Sequence, residues 1–160
     1  MKKLSDMVIK ILFTGGGWFP LLVFISHLFV SRILHLYEIW PSTDVPMHFL
    51  GGVSIAFFVS RSFQLLPRKE VDRSRVLLQE LLLVGSITAT TTVFWEFAEF
   101  IFDQAFLTNI QVSLANTMKD MAMGILGAIS LILVRSIQLG IGLNDVQNIS
   151  SDWLKGYISR

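Results

Sequence analysis

The chain has 160 residues, 52% of them apolar and only 16% charged, with a mean hydropathy of +0.61; this excludes an ordinary soluble domain, in which about a quarter of residues are charged. The absence of cysteine excludes a disulfide framework and thiolate metal sites. A net charge of +1 gives no reason to expect a nucleic-acid partner, so the lipid bilayer is the first partner to consider.

Lys10 and Arg32 bracket twenty-one residues without a formal charge. At ~1.5 Å per residue this stretch matches the hydrocarbon thickness, and it predicts a first membrane span from about Ile11 to Val30. The run is longer than the ~7–15 apolar residues of a secretory signal and has no small-residue cleavage site, so it reads as a retained helix. A second span is predicted from about Val45 to Leu66, with Arg61 snorkelling toward the surface. A third runs from about Leu81 to Phe106 and a fourth from about Leu114 to Ile141.

Lys2, Lys3 and Lys10 form one basic cluster, and Arg68, Lys69, Arg73 and Arg75 form another between the second and third spans. The loop after the third span has no Lys or Arg, so the excess of basic residues in cytoplasmic loops predicts both termini in the cytoplasm. The expected fold is all-α: a polytopic membrane protein with a four-transmembrane-helix bundle. Residues 1–143 form its single transmembrane domain, and residues 144–160, with Trp153 and Tyr157, form a cytoplasmic or interfacial tail. Pro67 to Arg75 reads as a short cytoplasmic link, and Asn148-Ile149-Ser150 fits a glycosylation sequon on the wrong side of the membrane for use.

The polar residues within the spans are the informative part. With this topology Asp44 and His48 open the second span, Glu96, Glu99 and Asp103 close the third, and Asn116, Thr117 and Asp120 open the fourth, all at one depth. Residues three or four apart share a helix face, and each polar patch continues into small residues: Gly51 and Gly52, Gly85 and Thr88, Gly124, Gly127 and Ala128. Small residues let helices approach closely in lipid, so these faces are expected to point into the bundle and turn the carboxylates toward one another. His27, Ser31, His35 and Glu38 fall on a similar stripe of the first span.

An ionised carboxylate at the bilayer centre costs at least ~2.5–3.5 kcal/mol on insertion scales, so several together need protons, water or a cation. One reading is a metal site in which Glu96 and Asp120 hold the ion, Asn116 adds an amide oxygen, and His48 and Glu99 move protons. Asp44, Asp103, Thr117 and His27 then lie around it. Oxygen-rich ligation with an imidazole suits Mg, Mn, Ca, Fe or Zn. The other reading is a hydrogen-bonded network that fixes helix register with no ligand. Asp44 also reads as a carboxylate satisfying the free N–H groups of a helix start, and Asp103 as a solvated group at the membrane edge. Trp18, Trp40 and Trp95 read as interfacial or packing residues.

Three short blocks carry a resemblance: Asp44-Val-Pro-Met-His48-Phe-Leu-Gly, Glu96-Phe-Ala-Glu99, and Asn116-Thr-Met-Lys-Asp120 with its following small residues. In order and spacing, over roughly residues 40–130, they resemble the YjdF family of small bacterial inner-membrane proteins, and more distantly the VanZ-like proteins. The family pattern has Asp-Thr-x-x-Asp before the last helix, where this chain has Asn116. The resemblance implies residence in the inner (cytoplasmic) membrane and polar family positions at Asp44, His48, Glu96, Glu99, Thr117 and Asp120. The VanZ likeness implies an envelope role. Three functions follow as expectations: a metal-dependent hydrolase or transferase acting on a lipid or envelope precursor, a cation or proton transporter, and an accessory subunit packed against other membrane proteins. Transport ranks lower because the inner halves of the spans are expected to offer only hydroxyls such as Thr88 and Ser130.

Overall fold

A computed structural model describes residues 2–66, 73–107 and 110–138. Every regular element among them is helical. The chain forms α1 (Lys2–Thr14), α2 (Trp18–Leu28) extended by a π-helical turn (Phe29–Ile33), a short α3 (Leu36–Ile39), and a 3-10 turn (Pro41–Thr43) leading into α4 (Asp44–Leu65). The long helices α5 (Arg73–Phe106) and α6 (Leu114–Gln138) complete it. Three segments are long and apolar enough to cross a membrane: Pro41–Leu65, Val76–Phe106 and Leu114–Gln138. Ser5–Thr14 and Trp18–Ile33 pass the same test as a pair bent by 61°.

That bend corrects the expectation of one straight first span from Ile11 to Val30. Three consecutive glycines, Gly15 to Gly17, end α1, and Gly16 takes φ +83°, a left-handed conformation that glycine adopts without steric cost. Gly15 N still donates to Ile11 O, but Gly17 N reaches back to Leu12 O, five residues away, so the ladder of bonds to the fourth residue back gives out at this point. The third span also begins earlier than Leu81, which draws Glu80 into the bundle. Of the predicted cytoplasmic link from Pro67 to Arg75, Arg73 to Arg75 form the start of α5 instead; its residues 67–72, the end of the fourth span beyond Gln138, the tail with Trp153 and Tyr157, and the sequon at Asn148 lie outside the described residues.

The bundle is organised around α4 and α6, which run parallel at a constant offset of 72 residues: Asp44 meets Asn116, and Gly52 meets Gly124. A Cβ on Gly52 would fall on the Gly124 carbonyl, and one on Gly127 would fall on the Phe49 carbonyl. Two turns of each helix therefore touch backbone to backbone, with Ala56 and Ala128 buried in the same core one turn further on. Gly51 and Gly85, expected on the contact faces, instead border open space, since a Cβ on either meets nothing within 4 Å.

Helix α5 runs antiparallel to both and closes the seam. Its residues Glu80, Val84, Thr88, Thr92 and Glu96 recur every fourth position and are all buried. Thr92 packs its methyl group where a side chain on Gly124 would go. Outside this seam the helices present large apolar residues such as Phe94, Phe97, Phe100 and Ile101 to the surroundings, as lipid-facing surfaces do.

At the end of the bundle opposite Asp44, the carboxylate of Glu80 is 3% exposed and ties the three helices together. Ser60 donates to Glu80 Oε1, Gln64 Nε2 donates to the same oxygen at 3.0 Å, and Arg135 Nε lies 3.4 Å from it. This overturns the expectation that the inner halves carry only hydroxyls. Glu80 escaped notice because it stood just outside the predicted span.

Candidate functional site

The glycine crossing of α4 and α6 sets the acidic end of the bundle. One turn before Gly52 and Gly124 stand His48 and Asp120, so the crossing brings those two side chains face to face. Donor atoms of Asp44, His48 and Asp120 all lie within 4.8 Å of one another, close enough for one metal ion to take a ligand from each. His48 Nε2 is 3.2 Å from Asp44 Oδ1, and on its other side Nδ1 is 3.8 Å from Glu96 Oε1 of α5. One imidazole thus sits between carboxylates from two helices.

Two buried carboxylate oxygens in this cluster, Glu96 Oε1 and Asp120 Oδ1, have no hydrogen-bond partner. Among the described residues Lys119 brings an ammonium near, its Nζ 3.9 Å from Asp120 Oδ1 on a side chain that is 43% exposed. Such oxygens are costly unless a proton or cation satisfies them.

Asp44 was expected to cap the start of α4, but no side-chain cap bond forms there. Its oxygens are engaged by His48 and, at 3.5 Å, by Asn116 Nδ2. Asn116, expected as an oxygen ligand, turns its amide NH2 toward Asp44 and Asp120, while its oxygen accepts from Lys119 Nζ at 2.7 Å. Between two carboxylates a donor is the favourable group, so Asn116 bridges them. Thr117 is half-buried on the same turn.

Glu99 lies one turn from Glu96, and its Oε1 accepts from Trp95 Nε1 at 2.8 Å. Trp95 was read as a packing or interfacial residue, yet its indole joins the site twice, since the ring also meets His27 edge to face at 5.4 Å. Asp103, expected near the ligands or in solvent, folds the loop after α5 instead: its two oxygens accept from Ile110 N at 2.8 Å and Gln111 N at 2.9 Å. That turn aims Gln111 Nε2 at the main-chain oxygen and Oε2 of Glu96, at 2.9 and 3.3 Å. Gln111 was not singled out in the sequence. A lone Gln in a polar loop gives no periodic signal.

His27 does come to the site, with its ring 6.2 Å from that of His48, but the stripe that suggested it does not hold. The π-helical turn after Leu28 and the left-handed backbone of His35, φ +48°, rotate the following residues. His35 and Glu38 pair with each other at 3.1 Å in the open. The same reversal brings Tyr37 Oη to 2.9 Å from His27 Nδ1. Burial, together with the carboxylates of Asp44, Glu99 and Asp120, raises the Tyr37 hydroxyl well above its ordinary pKa. It keeps its proton and is hydrogen-bonded to His27.

Beneath His27 and His48, between α2, α4 and α5, lies a cavity of about 100 Å³ lined chiefly by apolar groups, among them Val23, Phe24, Gly51, Ile55 and Trp95. His48 is shared by the cavity and the carboxylate cluster.

A family profile described as "Predicted membrane protein (DUF2238)" matches residues 9–140. YjdF-type proteins fall within that family, while the more distant VanZ likeness gains no support. No curated protein and no solved structure matches the chain. Four-fifths of the sequence and all the site residues lie in the matched stretch, and the chain belongs to the DUF2238 family of membrane proteins.

Proposed function

We propose that this chain is a divalent-cation-dependent hydrolase or transferase acting on a lipid or envelope precursor at the extracytoplasmic face of the inner membrane. The observation that carries this reading is the pair of buried, unpartnered oxygens on Glu96 and Asp120, set around an imidazole that Asp44 already approaches. Four carboxylates, those of Asp44, Glu96, Glu99 and Asp120, gather around His48, with the His27 imidazole and one peripheral ammonium besides. A divalent cation cancels the excess at a depth where water does so poorly.

Asp44, His48 and Asp120 are the ligands that geometry favours, while Glu96, on the other ring nitrogen of His48, lies beside that set. A cation held there would supply a Lewis acid for an ester or phosphoryl oxygen of the substrate. Glu99, tethered by Trp95 and outside the ligand set, is the group for moving a proton. Asn116 holds Asp44 and Asp120 in register, and Gln111 orients Glu96. The basic clusters of the sequence, before the first span and between the second and third, support an orientation with both termini in the cytoplasm, with residues 1–143 as a single membrane domain.

The test is turnover of phospholipid and isoprenyl-phosphate substrates by purified protein. Glu99→Gln and Glu96→Gln are expected to keep the helical circular dichroism of the parent and lose turnover, and unchanged turnover in both variants overturns the assignment.

Glu80 favours a second reading, translocation of a cation or proton, because it gives the inner half a buried carboxylate on the same α5 face as Glu96. Sixteen residues at ~1.5 Å each put the two about 24 Å apart, nearly the hydrocarbon thickness. Val84, Ala56 and Ala128 pack tightly between them, which is why catalysis ranks first. Proteoliposome flux that requires both Glu80 and Asp120 would reverse the order.

A further inference from the structure

We propose that the cavity beneath His27 and His48 takes in a short segment of one hydrocarbon chain of a membrane phospholipid, the rest of which lies in the bilayer, so that the lipid's phosphate end is delivered to the carboxylate cluster. The inference rests on the catalytic reading for the role of the headgroup, and on the cavity itself for the tail.

Three observations carry it. First, the space is kept open on α4: Gly51 stands in the interior of a spanning helix, where glycine is unfavourable relative to alanine, yet a Cβ there meets nothing within 4 Å. The glycines that serve helix packing, Gly52, Gly124 and Gly127, have no such room. Second, the lining is apolar and lies within the span, where the surrounding solvent is lipid chain and water would find few partners. Third, polarity is graded along the axis: Val23, Phe24 and Ile55 line the apolar part, the two imidazoles bound the end nearest the carboxylates, and Arg32 follows His27 by five residues on the turn that extends α2. Its guanidinium is over the Phe102 ring at 5.4 Å, a cation where a lipid phosphate would emerge. An amphiphile with an anionic head and an apolar tail fits that sequence of surfaces.

Trp95 lines the cavity and supplies its own reporter. A chain with Trp18→Phe, Trp40→Phe and Trp153→Phe, reconstituted in phosphatidylcholine nanodiscs, is titrated with phosphatidylglycerol bearing dibrominated acyl chains. A second chain retaining only Trp18, which is more than half exposed, measures quenching by bulk lipid. Trp95 fluorescence is expected to be half-quenched at a several-fold lower fraction of brominated lipid than Trp18 fluorescence. Gly51→Leu should abolish that advantage, as should Thr91→Leu, which fills the cavity from α5, while Gly85→Leu, open but away from the lining, should preserve it. Quenching of Trp95 that tracks Trp18 overturns the inference, as does an advantage that survives both filling substitutions.

Divalent-cation binding measured on the same samples separates the two readings. Cation bound without preferential quenching leaves the catalytic reading standing and removes this one. Preferential, Gly51-dependent quenching without cation binding does the reverse.

Discussion

Gly52 and Gly124 touch so closely that a β-carbon on the first would occupy the carbonyl of the second, and one helical turn away this contact holds His48 against Asp120. Packing and chemistry are therefore coupled through a single crossing. In lipid, where apolar burial offers little drive for helix association, backbone proximity of this kind is a main source of stability.

The first prediction concerns that crossing. Gly124→Val or Gly52→Val should cost at least the ~1–3 kcal/mol typical of overpacking, because the atoms in the way are largely backbone or a packed threonine methyl. Gly51→Ala, one residue from Gly52, should instead gain about 0.4–1 kcal/mol by restricting the unfolded chain. Thermal unfolding in detergent, read by circular dichroism, should move in opposite directions for the two kinds of variant.

Asp120→Asn should stabilise the metal-free protein. It removes a buried charge whose Oδ1 lacks a hydrogen-bond partner, at a depth where insertion scales assign an ionised Asp about 2.5–3.5 kcal/mol. Part of that, about 1 kcal/mol, should appear as a higher unfolding temperature in chelator, together with loss of cation-induced stabilisation. An unfolding temperature lowered in chelator would mean that the Asn116 bond to Oδ2 outweighs the cost of the unpartnered Oδ1.

At the other end of the bundle, Glu80→Ala should be destabilising by on the order of 3 kcal/mol, since it strips Ser60, Gln64 and Arg135 of their common acceptor. Glu80→Gln, which retains an acceptor oxygen, should lose less. Neither should change cation stoichiometry, because about 24 Å of helix separates Glu80 from Glu96.

Asp103→Ala should release the loop that positions Gln111. Two backbone N–H groups lose their acceptor, at about 1–3 kcal/mol each where they stay shielded from water. Faster hydrogen exchange at Ile110 and Gln111, with slower turnover but retained cation, is the expected pattern.

Much of the bundle was legible in the sequence because lipid imposes a simple length rule: the cores of the second, third and fourth spans follow from uninterrupted apolar runs. The bend at Gly15–Gly17 was not read, since a hydropathy run does not register backbone conformation. The convergence of Asp44, His48, Glu96 and Asp120 followed from connectivity, because helices joined by short loops must return to the same depth. What escaped were contacts made by residues without periodic company. Gln111 acts from a loop, Tyr37 after a π-helical turn that shifts the helical phase, and Trp95 through an indole N–H that looks no different in sequence from a lipid-facing one. Glu80 was missed by a single residue of span boundary, and with it the polar clamp that anchors the other end.

The most direct measurement is the metal content of the detergent-purified protein, by elemental analysis, beside His48→Ala and Asp120→Asn. The account predicts about one divalent ion per chain in the parent and none in either variant, with unfolding temperature rising on addition of that ion only in the parent. A parent protein that stays metal-free and thermally unchanged in the presence of Mg, Mn, Ca, Fe and Zn would contradict it.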